Sequence, residues 1–193
     1  MAKFFGNLHL VLIVGLVLAV VVMVTIPGNP PVDVNGVLRW LHAFFGVLWI
    51  GLLYYLNFVQ VPTMPKVPAE LKKGVTGYIA PNVFFFFRYA ALLTVVLGLG
   101  IAGSGHAGAP GYLMEALSLQ EGYKLIGVGM YLGLIMAFNV WFIIWPAQKK
   151  ILGIVEATDE AKAKAAPLAL AASRTNLLLS LPMLYCMVSA NLG

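Results

Sequence analysis

The sequence predicts an all-α integral membrane protein, a polytopic bundle of five transmembrane helices. Of its 193 residues, 61% are hydrophobic and only 10% are charged, whereas a soluble domain carries roughly 25% charged residues. The apolar residues also form long runs that match the roughly 20 residues a bilayer-spanning helix needs. These runs take up most of the chain, so little remains for a folded domain outside the bilayer.

Five apolar runs, separated by helix breakers, define the spans of one membrane domain covering residues 1–193. They lie at about 8–26, 37–61, 83–103, 121–145 and 167–192. The first run is followed by Pro27-Gly28-Asn29-Pro30-Pro31, and the fourth stops at Pro146. The first run is longer than the apolar part of a usual signal peptide, so we expect a retained anchor helix.

The basic residues predict the orientation of these spans. With the N-terminus in the cytoplasm, ten of the 12 lysines and arginines fall at cytoplasmic ends, and only Arg39 and Lys124 fall on the outer side. Cytoplasmic loops carry such an excess of positive charge. We therefore expect an N-in, C-out protein of the bacterial inner membrane. Because the bilayer explains the net charge of +5, we expect no nucleic-acid partner.

Polar side chains inside the second span carry the first functional signal. We name the set with helical spacing the span-two row: His42, Gly46, Trp49, Leu53, Asn57 and Gln60. Steps of three and four residues put the whole row on one face of a helix. Such a face is expected to point into the bundle, where two interpretations remain open. It provides either interhelical hydrogen bonds and close packing, or a cofactor or substrate site.

His42 is the main candidate ligand for haem b or a metal ion, because a neutral imidazole binds haem iron or copper well. His106, just after the third span, is expected on the same outer side and is the candidate partner. The alternative for His106 is a solvated histidine in a glycine-rich turn. The chain has one cysteine, Cys186, which we interpret as a small buried apolar residue.

A second set of polar and aromatic residues is expected near the cytoplasmic face. We name it the Arg88 group, and its members are substrate-binding candidates: Asn57, Gln60, Arg88, Asn139, Trp141, Trp145, Gln148, Arg174 and Asn176. Guanidinium groups, amides and indoles together suit a planar anion rich in hydrogen-bonding groups. They also suit the anchoring of lipid headgroups and the capping of helices.

Several of these residues belong to segments that resemble the membrane domain of the membrane-anchored urate oxidase (urate hydroxylase) family. The similar segments lie at 40–60, 87–91, 139–149, 172–176 and 180–183. The Trp-Pro-x-Gln-Lys motif at 145–149 and the Ser-Arg-Thr-Asn motif at 173–176 are the most specific. The histidine near a helix start and the following Trp-x-Gly also show a looser likeness to small four-helix membrane haem proteins.

This resemblance implies an inner-membrane oxidoreductase that oxidises urate and passes electrons to a fused cytochrome c domain. With one cysteine, this sequence contains no CxxCH site for attaching c-type haem. The resemblance therefore implies electron transfer to a separate cytochrome, or a relative that no longer carries out the reaction.

Two functions of different class follow. The first is a redox module that holds haem b or a metal at His42. The second is a non-catalytic accessory subunit of a larger membrane complex, which packs against partner subunits and lipid through its many glycines.

Overall fold

The structure, a computed structural model, describes residues 2–26, 33–105 and 109–190. The elements in these ranges are helical. Five are long: α1 (Leu8–Thr25), α2 (Val34–Lys66), α3 (Ala69–Ser104), α4 (Lys124–Ile151) and α5 (Asp159–Ser189). Two short helices, Ala2–Phe5 and Leu113–Leu117, precede α1 and α4. The predicted all-α architecture is confirmed.

Among the described residues, four helices are long and apolar enough to cross a bilayer, α1 to α4. The predicted count of five spans is therefore not confirmed. Helix α5 is long enough, but charged residues near its start and the polar segment 173–176 make it less apolar. Helices α2, α3 and α4 also extend past the predicted spans, because polar residues at their ends continue the helix beyond the apolar run.

Side-chain caps mark where three of the helices begin. Asn7 accepts a hydrogen bond from the backbone N–H of Leu10, Asp33 from that of Gly36, and Thr158 from that of Ala161. The N–H groups of a first helical turn have no partner within the helix, so an oxygen at the cap position stabilises the helix start.

Three of the long helices contain a stretch of π-helix: Tyr55–Gln60 in α2, Val75–Ile79 in α3 and Asn139–Ile144 in α4. Just after each stretch, a backbone N–H bonds the carbonyl five residues earlier, as from Val61 to Leu56. A π-helical turn is wider than an α-helical turn and is frequent at functional sites. Two of these stretches carry the buried amides Asn57 and Asn139.

Helices α2 to α5 form a four-helix bundle, in which α2 packs on α3 and α4 packs on α5. Its core takes side chains from all four helices, including Trp49, Phe87, Met136 and Met183. Helix α1 differs, because none of its residues is buried although nearly all of them are apolar.

The link between α3 and α4 is held by close backbone contact. The N–H of Tyr112 donates to the carbonyl of Ala102 at 2.7 Å. In the short helix Leu113–Leu117, Ala116 lies directly against Gly127 of α4, where any Cβ would collide with its carbonyl oxygen. Glycine at 127 therefore permits this approach, which closes one end of the bundle.

Candidate functional site

The span-two row faces the interior of the bundle, as predicted. Trp49, Leu53 and Asn57 are each at most 1% exposed, while His42, Gly46 and Gln60 are half-buried. The opposite side of α2 carries exposed residues such as Val47 and Phe58. The helical spacing thus identified the correct face, although spacing alone does not distinguish packing from ligand binding.

His42 is held by the neighbouring helix α3. Its Nδ1 lies 2.8 Å from the carbonyl oxygen of Thr94. Since a carbonyl oxygen only accepts, Nδ1 is the protonated nitrogen, and in the neutral ring Nε2 keeps its lone pair. Thr94 is therefore the polar partner of His42 within the bundle, and the arrangement fixes the tautomer in which Nε2 is the available ligand atom.

Gly98 makes room for the imidazole ring. A Cβ at this position would lie 2.9 Å from Cε1 of His42, which is closer than side-chain carbons approach one another. The hydroxyl of Thr94 donates to the carbonyl of Ala90 at 2.7 Å, within its own helix. Thr94 therefore offers only its backbone oxygen to His42, and Gly98 lets the ring reach it.

His42 borders a cavity of about 620 Å³ that is lined by residues of α2, α3, α4 and α5. This volume lies in the range of sites for cofactors and small molecules. Most of the wall is apolar. Three methionines of α4 and α5 contribute to it: Met130, Met183 and Met187. Imidazole and thioether side chains, both present among the lining residues, are ligand types found on haem iron and copper.

Arg39 provides a positive charge at the wall of this cavity. Its Nε donates to Oδ1 of Asn35 at 2.7 Å. Asn35 is buried and its Nδ2 donates to the carbonyls of Ile101 and Gly105 and to the hydroxyl of Ser104, at 2.8 to 3.0 Å. This network ties the start of α2 to the end of α3 and orients the guanidinium group.

The residues present fit a b-type haem. His42 offers a ligand nitrogen, the methionines offer thioether sulfurs, and Arg39 offers a cation for carboxylate substituents. The apolar wall suits the porphyrin ring. His106, the predicted partner of His42, lies outside the described residues. His9 is exposed on α1.

In the Arg88 group, the structure brings the buried amides together. Asn57 donates through Nδ2 to the hydroxyl of Ser173 at 2.9 Å, which joins α2 to α5. Asn139 donates to Oδ1 of Asn176, and Asn176 donates to the carbonyl of Met136, both at 2.9 Å. These contacts are interhelical hydrogen bonds, which was one of the two interpretations of polar residues in the spans.

The cationic and aromatic members of the group make a second set of contacts. The Arg88 guanidinium stacks on Trp145, 3.9 Å from the ring centroid, and the indole N–H of Trp141 donates to the Arg88 carbonyl at 2.9 Å. Arg174 is exposed on α5, and Gln148 is half-buried. These contacts join Arg88 to the two tryptophans of α4.

Sequence reasoning did not identify Thr94, Asn35, Arg39 or the methionines as neighbours of His42. Weak signals exist, because Asn35 and Arg39 are four residues apart, as are Met183 and Met187, which places each pair on one helix face. The same spacing also occurs in ordinary packed helices. Only the tertiary structure shows that these pairs lie near His42.

Comparison with known proteins supports part of the predicted resemblance. The model of the family described as urate oxidase N-terminal matches residues 109–193. This range contains the similar segments at 139–149, 172–176 and 180–183, so the resemblance is confirmed there. The segments at 40–60 and 87–91 lie outside it. No curated protein and no solved structure matches the chain.

Proposed function

We propose that this chain is a membrane redox module that binds a b-type haem in the cavity beside His42 and passes electrons to a separate partner such as a cytochrome. One observation carries the proposal. His42 is held by Thr94 with its Nδ1 proton engaged, and its ring borders an apolar cavity of suitable size. Histidines that ligate metals nearly always donate their other ring nitrogen in this way.

Each part of the cavity has a distinct task in this proposal. His42 would hold the haem through Nε2, and the Thr94 carbonyl keeps the imidazole ring in its orientation. Arg39 would bind carboxylate substituents, and the apolar lining residues would pack against the porphyrin ring. When bound, the haem supplies reversible one-electron transfer. The matched family is named for urate oxidase, so urate is the first electron donor to test.

The proposal includes five membrane spans with the N-terminus in the cytoplasm of a bacterium. Helix α5 packs along all of α4: Ala165 lies beside Ala147 at one end, Asn176 bonds Asn139 midway, and Cys186 lies against Gly129 at the other. A helix packed along the full length of a membrane span shares its depth. Asn139 on α4 then satisfies Asn176, one of the polar residues that lower the hydropathy of α5.

The visible spectrum of the purified full chain tests the function. We expect a reduced-minus-oxidised spectrum of b-type haem, and its loss in His42→Gln. The matched control is His9→Gln, which changes an exposed histidine on α1 and should keep the spectrum. A wild-type protein without haem absorbance after expression with sufficient haem, or a His42→Gln protein that retains it, overturns the proposal.

The exposed apolar helix α1 favours a second candidate, an accessory subunit of a larger membrane complex. None of its residues is buried against the rest of the described chain, so lipid or a partner helix must cover it. If the purified protein lacks haem and elutes with another membrane protein, and if deletion of α1 abolishes that association, this candidate replaces the first.

A further inference from the structure

Three buried polar atoms of α2 have no hydrogen-bond partner among the described residues: Nε1 of Trp49, Oδ1 of Asn57 and Oε1 of Gln60. Trp49 and Asn57 are each only 1% exposed. Buried polar groups are nearly always satisfied, and an unsatisfied one indicates a water molecule, an ion or a functional constraint. Three such atoms on one helix face therefore require an explanation.

The three atoms form a line that begins at the cavity. Trp49 lines the cavity, Asn57 lies about two turns further along α2, and Gln60 lies almost one turn beyond Asn57. Eleven residues separate Trp49 from Gln60, a length of about 16 Å in a helix. The line thus runs from the cavity to the end of α2 that is remote from His42.

Two serine hydroxyls of α5 contact α2 within this interval. Tyr54 lines the cavity, and its hydroxyl lies 3.2 Å from Oγ of Ser180, while Ser173 accepts a hydrogen bond from Asn57. Ser173 and Ser180 are seven residues apart on α5, hence on the same face. A polar seam therefore lies between α2 and α5, which we define by Trp49, Tyr54, Asn57, Gln60, Ser173 and Ser180.

The π-helical stretch Tyr55–Gln60 contains the two unpartnered amide oxygens. A π-helical turn widens the helix and interrupts the regular ladder of backbone hydrogen bonds, which opens space beside the backbone. The acceptors of the seam therefore lie where α2 departs from regular α-helical hydrogen bonding.

The unpartnered donor and acceptors of the seam match water better than they match an ion. Trp49 needs an acceptor, whereas Asn57 and Gln60 need donors. A metal cation would satisfy only the oxygens and an anion only the indole, and none of the six seam residues is charged. Water both donates and accepts, and buried waters typically make two to four such bonds.

We propose that a file of ordered water occupies this seam and connects the Gln60 end of α2 with the cavity. Each water passes a hydrogen bond to the next, so a proton that enters at Gln60 releases one at Trp49. Use of the file to deliver protons to a redox ligand rests on the proposed function. The existence of the water file does not depend on that function.

Nuclear magnetic resonance of the indole N–H groups tests the file without any cofactor. The full chain, labelled with ¹⁵N at its four tryptophans, is studied in detergent micelles, and each signal is assigned with a Trp→Phe variant. We expect magnetisation transfer between water and the N–H of Trp49 despite its burial. The internal control is Trp141, whose N–H is bonded to the Arg88 carbonyl and should show far less transfer.

The variant Gln60→Leu distinguishes the file from water that enters through the cavity. It removes an acceptor at the far end of the seam. We expect about a tenfold weaker transfer at Trp49, with the Trp141 signal unchanged as evidence of a native fold. The second variant, Asn57→Leu, should act in the same direction.

Two results overturn the proposal. One is the absence of water contact at Trp49 in the wild-type protein. The other is undiminished contact in both Gln60→Leu and Asn57→Leu. A missing haem spectrum would instead count against the proposed function and leave this measurement unaffected.

Discussion

Asn139 donates a 2.9 Å hydrogen bond to Asn176 in the middle of the interface between α4 and α5. Asn176 has no exposed surface, and it passes the interaction on by donating to the carbonyl of Met136. The side-chain amides of both residues thus have a defined partner on the other helix. A shift of α5 by one turn would break both bonds, so the pair sets the register of the two helices.

Replacement of Asn176 by leucine should therefore destabilise the bundle. We expect a loss of about 1–2 kcal/mol in the free energy of unfolding, because two interhelical hydrogen bonds disappear and Asn139 loses its acceptor. Equilibrium unfolding of the purified protein in mixed micelles measures this change in the free energy of unfolding. The control is Arg174→Lys, a change that keeps the charge at an exposed site of the same helix. Equal stabilities of the two variants would contradict the assigned role of Asn176.

Gly98→Ala should displace the His42 ring, because the new Cβ would lie 2.9 Å from Cε1 of His42. The ring can move more easily than the backbone, so we expect little loss of stability but at least about tenfold weaker haem binding. The control is Gly51→Ala, a cavity-lining position where a Cβ meets nothing within 4 Å. Haem titration measures affinity, and ¹⁵N signals of the imidazole report whether the Thr94 hydrogen bond persists. An unchanged imidazole signal in Gly98→Ala would refute the prediction.

Gly127→Ala should be strongly destabilising, because a Cβ at this position would collide with the backbone carbonyl of Ala116, which cannot rotate away. Overpacking of this kind costs about 1–3 kcal/mol. The matched control on the same helix is Gly133→Ala, where nothing lies within 4 Å of the added Cβ. That control should be neutral or stabilised by up to about 1 kcal/mol, since alanine is the better helix former. Thermal unfolding in detergent compares the two, and the opposite order of melting temperatures would disprove the contact.

The proposed topology predicts which ends of the helices face the cytoplasm. In a Cys186→Ala background, Lys73→Cys and Lys150→Cys should react with an impermeant thiol reagent only after the membrane is opened. Glu121→Cys, in the loop between α3 and α4, should react from outside in intact spheroplasts. All three positions are exposed in the structure. Labelling of Lys73→Cys or Lys150→Cys from the periplasmic side would contradict the proposed orientation.

The helical class and the buried face of α2 could be read from the sequence, because each depends on local properties. Long apolar runs predict helices in a bilayer, and the positions of His42, Trp49 and Asn57 at steps of about 3.6 residues predict which face is buried. The ends of the helices were less predictable. Helix α2 continues to Lys66 through the π-helical stretch Tyr55–Gln60, since hydrogen bonding and not hydropathy decides where a helix stops.

Only part of the candidate site was predictable from the sequence. His42 was found from its spacing with the other polar residues of α2, whereas Arg39 was not identified as its neighbour. Thr94, Gly98 and Met183 contact the same cavity from other helices, and their sequence positions contain no information about that. The exposure of Arg174 likewise depends on how α5 is rotated about its axis.

The sequence by itself determined the helical class, the apolar runs, and the face of α2 that is buried, since a bilayer imposes these properties on each segment separately. Only the tertiary structure decided that the Thr94 carbonyl holds the His42 ring, that Asn139 pairs with Asn176, and that a cavity remains between the four helices. These features depend on side-chain volumes and on the few places where glycine lets two helices approach. Such contacts join residues far apart in the chain, and no local pattern encodes them.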